Sequence, residues 1–361
     1  MSEKINKNSS ENIKKKRFKQ LIVVLFILGN IAIIFWTASQ EFGGNNRVKF
    51  SDVKLHWWLL LPAILSFLIA LTAEIHKYDM LIKEFTKKGN KKLARHTVLI
   101  GRYYDNVTPA AIGGQPFQIA HMLKNGVPRE YAAMIPVLGF VTTQLAFVLL
   151  GIITLIFGAN IVLSPVTYAA AYFGLMLYAF LPTMILFFAL TPKTAKKILS
   201  SLFKFLHKIH IIKNVSKTEE KVFGEIEKYA KCIKHVVKDK KMLGKTMGLS
   251  LVYQFGMLSI PFFVISAFGG GISYLAATMT TISINAAISF VPTPGNAGAA
   301  EGSFYLVFST LSSGYTFWAM LVWRFFSYYL FIALGGLTYL ELGLDKKKPK
   351  SSQNLDETPS T

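Results

Sequence analysis

Apolar runs long enough to cross a lipid bilayer recur along this chain, and nearly all of its charge lies between them. Crossing the hydrocarbon takes about 20 residues of helix, and without water every backbone N–H and C=O must be satisfied within the protein. The pattern predicts an all-α, multi-pass membrane protein. Of 361 residues, 52% are hydrophobic and only 16% charged. The 40 Lys and Arg against 19 Asp and Glu give a net charge of +21, which in a soluble chain would suggest nucleic acid. Here the basic residues gather in alternate loops, as the positive-inside rule requires, and no nucleic-acid partner is expected.

The first run, Leu21 to Ala38, follows a tail carrying Lys14, Lys15, Lys16, Arg17 and Lys19. It lacks a small-residue cleavage pattern, so it is expected to remain as a helix with a cytoplasmic N-terminus. Residues 39–54 are nearly balanced in charge and lie outside. A second helix from Leu55 to Leu81 returns the chain to Lys83, Lys87, Lys88, Lys91, Lys92 and Arg95. Tyr131 to Phe157 and Val166 to Leu190 form a hairpin. Further runs occupy Thr246 to Phe268, Ile272 to Val291, Gly302 to Ser313 and Tyr315 to Leu342, with Lys346, Lys347, Lys348 and Lys350 beyond them. About eight crossings place both termini in the cytoplasm; the short run near Gly302 can instead be one arm of a re-entrant element.

Five regions follow: a basic tail (1–20), a first membrane half (21–190), a lysine-rich segment (191–245), a second membrane half (246–342) and a cytoplasmic tail (343–361). The 191–245 segment holds 15 Lys and five acids. Its Ile198, Leu202, Phe205, Leu206 and Ile209, then Val222, Ile226, Tyr229, Ile233 and Val237, recur at helical spacing and predict two amphipathic helices. Two placements stand: on anionic lipid head groups, or as a solvated helical hairpin between the halves.

Two polar stretches interrupt the apolar pattern, residues 101–126 (GRYYDNVTPAAIGGQPFQIAHMLKNG) and 285–304 (NAAISFVPTPGNAGAAEGSF). Pro109 and Pro116 remove backbone donors while Gly113 and Gly114 permit bends; Pro292, Pro294, Gly295 and Gly298 do the same in the second stretch. Backbone freed at membrane depth has to bond within protein or line a cavity. One break in each half resembles the arrangement of transporters whose half-helices meet near the bilayer centre; the similarity is in architecture, since the two halves do not match residue for residue. The N-termini of such half-helices suit a phosphate or carboxylate.

Candidate site residues lie in these stretches and in the last crossing. Arg102 and Asp105, three apart, can share a helical face and either neutralise each other or offer one charge of each sign to a zwitterionic head group. The bland reading of Arg102 is snorkelling to lipid phosphates. Asn106, Thr108 and Gln115 can bond ligand or unwound backbone. Glu301 opens an apolar run, as a helix-start carboxylate, a partner of Arg324 or a contact for a cationic group. Arg324 sits well inside the last apolar run, where an ionisable residue is costly unless paired or facing a polar path. It can bind a lipid phosphate through its planar fork, lock the bundle by pairing with Glu301 or Asp105, or snorkel.

Glu74, His76, Lys77 and Asp79 read as interfacial anchors at the end of the second helix, with Glu74 placed to face the interior. His121 lacks companions at ligand spacing, so no metal is expected. Cys232 is the lone cysteine and excludes an intramolecular disulfide. Trp57, Trp58, Trp318 and Trp323 read as packing or interface residues.

The two stretches that carry these candidates resemble the signature segments of the lysylphosphatidylglycerol synthase transmembrane region, a flippase-like membrane family. The resemblance covers roughly residues 15–343. In the second stretch the family commonly shows PxPGGxGxxE, matched by Pro292, Pro294, Gly295, Gly298 and Glu301; Asn296 stands where glycine is frequent and keeps the position compatible with a turn. The family is similar to the membrane half of multiple peptide resistance factor, whose larger members add a soluble aminoacyltransferase domain. The resemblance implies a bacterial cell membrane protein that flips a phospholipid such as lysylphosphatidylglycerol, with Arg102, Asp105, Glu301 and Arg324 along the head-group path. The 19 residues after Leu342 are too few for a transferase domain, so an enzyme is not expected. An accessory role to phosphatidylglycerol lysyltransferase and a regulatory scaffold are the alternatives. An anionic or zwitterionic lipid is the expected partner, beside a separate lipid-modifying synthase and a second copy of the chain. No cofactor is expected, and without a GxxxxGK[ST] motif direct ATP use has no support.

Overall fold

The structure, a computed structural model, describes residues 35, 39, 55–109, 113–157, 165–208, 214–289, 291–312 and 315–347. The first expected crossing, Leu21 to Ala38, lies outside the described residues apart from Phe35. After a 3-10 turn at Trp57–Leu59 the chain forms α1 (Leu60–Thr86), α2 (Lys91–Val107), α3 (Gly114–Lys124), α4 (Arg129–Phe157) and α5 (Pro165–Leu190). Then come α6 (Pro192–Lys208), α7 (Val215–Lys238), α8 (Lys240–Ala267), α9 (Tyr274–Ile288), α10 (Ala299–Leu311) and α11 (Thr316–Arg324). A π-helical turn at Phe325–Tyr329 leads into α12 (Leu330–Lys347).

The protein is an all-α, multi-pass membrane protein. Five described helices are long and apolar enough to cross a bilayer: Trp57–Thr86, Arg129–Phe157, Tyr172–Leu190, Lys240–Ala267 and Thr316–Leu344. Between them stand the pairs α2–α3 and α9–α10, whose members are all too short to cross alone at about 1.5 Å per residue. The breaks fall in the two Pro- and Gly-bearing stretches. Each half therefore holds a broken pair between two long helices, and the first half adds α5 after them.

The two halves interleave. The most extensive helix contact joins α1 to α8, and α5 packs on α9 and α2 on α12. Small residues permit these approaches: a Cβ on Gly256 would lie 2.7 Å from Ser66 O, one on Gly174 2.6 Å from the Ala286 carbonyl carbon, and one on Gly335 2.5 Å from Tyr103 Cβ. One core cluster fills the space among α1 and α8–α12, around Phe67, Phe304, Phe308 and Trp323. Another joins α1–α4 to α7.

The 191–245 segment forms the two predicted helices. Helix α7 packs inward through Ile233 and Val236. Helix α6 turns Ala195 and Phe203 inward but leaves Ile198, Leu202 and Phe205 exposed. Lys196 of α6 pairs with Glu227 of α7, and that cation holds the Glu227 carboxyl below the usual carboxylate range.

Candidate functional site

The first break is built by side chains of α2 reaching over to start α3. Asp105 Oδ1 accepts from the Gly114 N–H at 2.9 Å. Thr108 Oγ1 accepts from the Gly113 N–H at 2.9 Å while donating to the Tyr104 carbonyl at 2.6 Å. These bonds satisfy donors that a helix start leaves open, and they set a carboxylate at the positive end of α3. A Cβ at position 114 would lie 2.3 Å from Asp105 Oδ1, so any larger residue there would displace the carboxylate from the start of α3. Pro116, in the first turn, gives up an N–H that would have no partner inside the helix.

The second break uses left-handed backbone. Gly295 (φ 57°), Asn296 (φ 54°) and Gly298 (φ 86°) turn the chain into α10. Asn296 is one of the few side-chain-bearing residues suited to that region. Glu301 then reaches back, its Oε2 accepting from the Gly298 N–H at 2.6 Å. Its Oε1 accepts from Arg324 Nε at 2.6 Å. Arg324 Nη2 also donates to the Gly295 carbonyl at 3.3 Å, and the guanidinium lies 4.6 Å from the Tyr328 ring. Both charged side chains are 5% exposed, so Arg324 does not snorkel. The arginine thus ties the last crossing to the start of α10 and to the turn before it.

The two breaks touch. Pro109 and Pro294 form an antiparallel bridge, and a Cβ on Gly295 would come within 3.0 Å of the Asn106 carbonyl and 2.4 Å of the Tyr328 ring. Behind this junction lies a cavity of about 300 Å³. Its wall mixes polar and apolar side chains in nearly equal measure: Arg102, Asp105, Asn106 and Gln115 come from the first broken pair, Asn285, Gly295 and Asn296 from the second, Arg324 from the last crossing, and Phe140, Phe147, Met257 and Trp323 add apolar surface. The cavity also receives Glu74, Tyr78, Gln144, Tyr178, Tyr253 and Gln254. Thr108 and Glu301 support the wall without lining it.

Arg102 does not pair with Asp105, as their spacing allowed. Asp105 turns to the α3 N-terminus, while Arg102 Nη2 stands 3.6 Å from Glu74 Oε1 and its guanidinium lies over the Tyr253 ring at 4.7 Å. With its side chain 27% exposed it is the more accessible of the two cavity arginines. Asp105 likewise gives Arg324 no ion pair; Glu301 takes that place.

Lys77 needs a larger correction. The expectation of interfacial anchoring fails for it, since it is fully buried, whereas Glu74, 4% exposed on the cavity wall, faces the interior as its depth allowed. Their three-residue spacing on an apolar helix was visible, but the surrounding run is apolar on every side, so periodicity did not say which face meets protein. His76 is exposed, and Asp79 accepts from the Asn90 N–H at 3.0 Å ahead of α2. Trp57 and Trp58 are exposed, as interface residues would be, whereas Trp323 stacks on Phe304 at 4.7 Å. No group of three or more metal-ligating side chains occurs among the described residues.

A polar chamber at two broken helices inside a membrane bundle is the arrangement expected of the family suggested by the motifs. The family model for the lysylphosphatidylglycerol synthase TM region matches residues 20–335. The chain belongs to that family. The match spans both broken pairs and Arg324, so the cavity is built wholly from the family's region. No individual curated protein matches the chain.

Proposed function

We propose that this member of the lysylphosphatidylglycerol synthase TM family moves a phospholipid between leaflets, the head group passing through the polar cavity while the acyl tails stay in hydrocarbon. The observation that carries this reading is the meeting of both broken pairs at a chamber whose wall bears Arg102 together with carboxylates and amides. Charge inside a membrane protein marks a pathway when it faces a polar space.

Arg102 is the phosphate contact in this proposal. Its 3.6 Å separation from Glu74 leaves guanidinium donors available, and a planar fork suits a phosphate diester. Arg324 adds positive charge to the same wall while its Nε is held by Glu301. Asp105 receives a cationic group, with Asn106 and Gln115 as hydrogen-bonding neighbours. Both signs on one wall suit an aminoacylated anionic lipid such as lysylphosphatidylglycerol, the lipid in the family's description.

The proposed topology has about eight passes in a bacterial cell membrane: Leu21 to Ala38, the five long helices, and α9 and α10 as two partial crossings, with the α2–α3 pair re-entrant and both termini cytoplasmic. Positive loop charge supports that orientation. The test compares correctly inserted wild type, Arg102→Gln and Arg324→Gln in vesicles carrying labelled phosphatidylglycerol or its lysyl ester. Arg102→Gln is expected to slow translocation at least tenfold; translocation at the wild-type rate would remove Arg102 from the path.

A further inference from the structure

Lys77 lies just behind the cavity wall, and the transport reading makes no use of it. Its ammonium is surrounded by four oxygens from three helices. Glu74 Oε2 of α1 stands at 2.8 Å, Thr143 Oγ1 and the Gly139 carbonyl of α4 at 2.5 and 3.2 Å, and Ser250 Oγ of α8 at 3.2 Å. Lys77 and Ser250 are fully buried, and Thr143 and Glu74 are nearly so. The cage crosses between the two halves of the protein, since α1 and α4 belong to the first and α8 to the second.

An ammonium has three protons, and four oxygens stand within reach of them. Glu74 Oε2 is the one that carries formal charge, and it lies 2.8 Å from the nitrogen. A carboxylate, a carbonyl and two hydroxyls converging on one positive point is a donor set of the kind hard cations take, all oxygen and one formal negative charge. A close approach of α1 and α4 makes it: a Cβ on Gly139 would lie 2.9 Å from the Tyr78 ring.

We propose that these four oxygens form a monovalent-cation site whose occupant is the chain's own Lys77. The tethered ammonium neutralises Glu74 and joins α1, α4 and α8 without an exchangeable ion. Shortening the side chain opens a site for a free monovalent cation, either an alkali ion or a small primary ammonium. Transporters place coupling ions where helices of two halves meet; here the lysine fills such a position permanently.

The test follows thermal unfolding of the purified full chain in sodium, ethylammonium or tetramethylammonium chloride at equal ionic strength. Lys77→Ala is expected to melt well below wild type in tetramethylammonium and to recover several degrees in sodium or ethylammonium, because a ligand that binds only the folded state raises its melting temperature. Recovery in sodium identifies a metal-accepting cage, and recovery in ethylammonium alone an ammonium-selective one; both support the site. Lys77→Met, which fills the space without charge, is expected to melt low in all three salts, and wild type to ignore the choice of salt. Should Lys77→Ala fail to fold, the double variant Glu74→Gln, Lys77→Met decides, being expected to melt above Lys77→Met because the buried carboxylate oxygen that Lys77 neutralised, left only the long contact from Arg102 to the other oxygen, is gone. A cation-blind Lys77→Ala, equal gain from tetramethylammonium, a sodium response in Lys77→Met, or a double variant no more stable than Lys77→Met would overturn the proposal. No lipid enters this readout, so its outcome is independent of the transport reading.

Discussion

Arg324 Nε lies 2.6 Å from Glu301 Oε1, and the other oxygen of the same carboxylate holds the Gly298 N–H at 2.6 Å. One side chain of the last crossing therefore fixes the start of α10 through a carboxylate that already caps it. The π-helical turn that follows Arg324 places Tyr328 against both the guanidinium and the Gly295 turn. Such turns frequently accompany functional sites in otherwise regular helices.

Breaking this pair leaves an uncompensated buried charge, which typically costs about 3–5 kcal/mol. Arg324→Gln and Glu301→Ala are each expected to lower the thermal midpoint markedly in detergent. Glu301→Gln retains an oxygen for the Gly298 N–H and is expected to fall between Glu301→Ala and wild type. A midpoint of Arg324→Gln equal to wild type would show that the pair does not hold the break.

Arg102→Gln is expected to separate from Arg324→Gln in kind. Its ion pair is long and its side chain partly exposed, so loss of stability is expected to stay within about 1–2 kcal/mol while translocation drops. Measuring melting and lipid movement on the same preparation checks this; a large melting change with unaltered movement per folded molecule contradicts it.

Two glycines of the second break give a matched comparison. Gly295→Ala meets the Tyr328 ring at 2.4 Å in a left-handed backbone, and a loss of about 2 kcal/mol or more is expected. Gly302→Ala adds its methyl to open space within α10 and is expected to stabilise by about 0.5–1 kcal/mol. Thermal midpoints in one detergent decide the ordering, and equal midpoints would contradict it.

Helix α6 begins two residues after α5, a crossing helix, ends, and it exposes Ile198, Leu202 and Phe205 as a stripe. Of the two placements open from sequence, this stripe favours the lipid surface for α6, while α7 packs inward. In vesicles with brominated anionic lipid, Leu202→Trp is expected to be quenched more strongly than Phe203→Trp, whose position faces the protein. Equal quenching would favour the solvated hairpin.

Much of the geometry at the two breaks was legible in the sequence. Proline and glycine located both breaks because they act on the backbone of their own segment, and Glu301 was a foreseeable partner for Arg324. Asn296 was expected to keep a turn, and its positive φ agrees. The pairing of Arg102 was not legible: a spacing of three on α2 suggested Asp105, but the Gly114 N–H offered that carboxylate a bond and Glu74 approached from another helix.

By itself the sequence determined the all-α membrane class, the positions of the breaks and the amphipathic pair in the lysine-rich segment. These follow from local quantities: run length, backbone permissiveness and periodicity. Tertiary structure alone decided that the halves interleave, that both breaks meet at one cavity, and that Lys77 is caged by Thr143 and Ser250, 66 and 173 positions away. In a helix apolar all round, no pattern distinguishes the side facing lipid from the side facing protein. Only the approach of other helices fixes which charge is buried and which partner it finds.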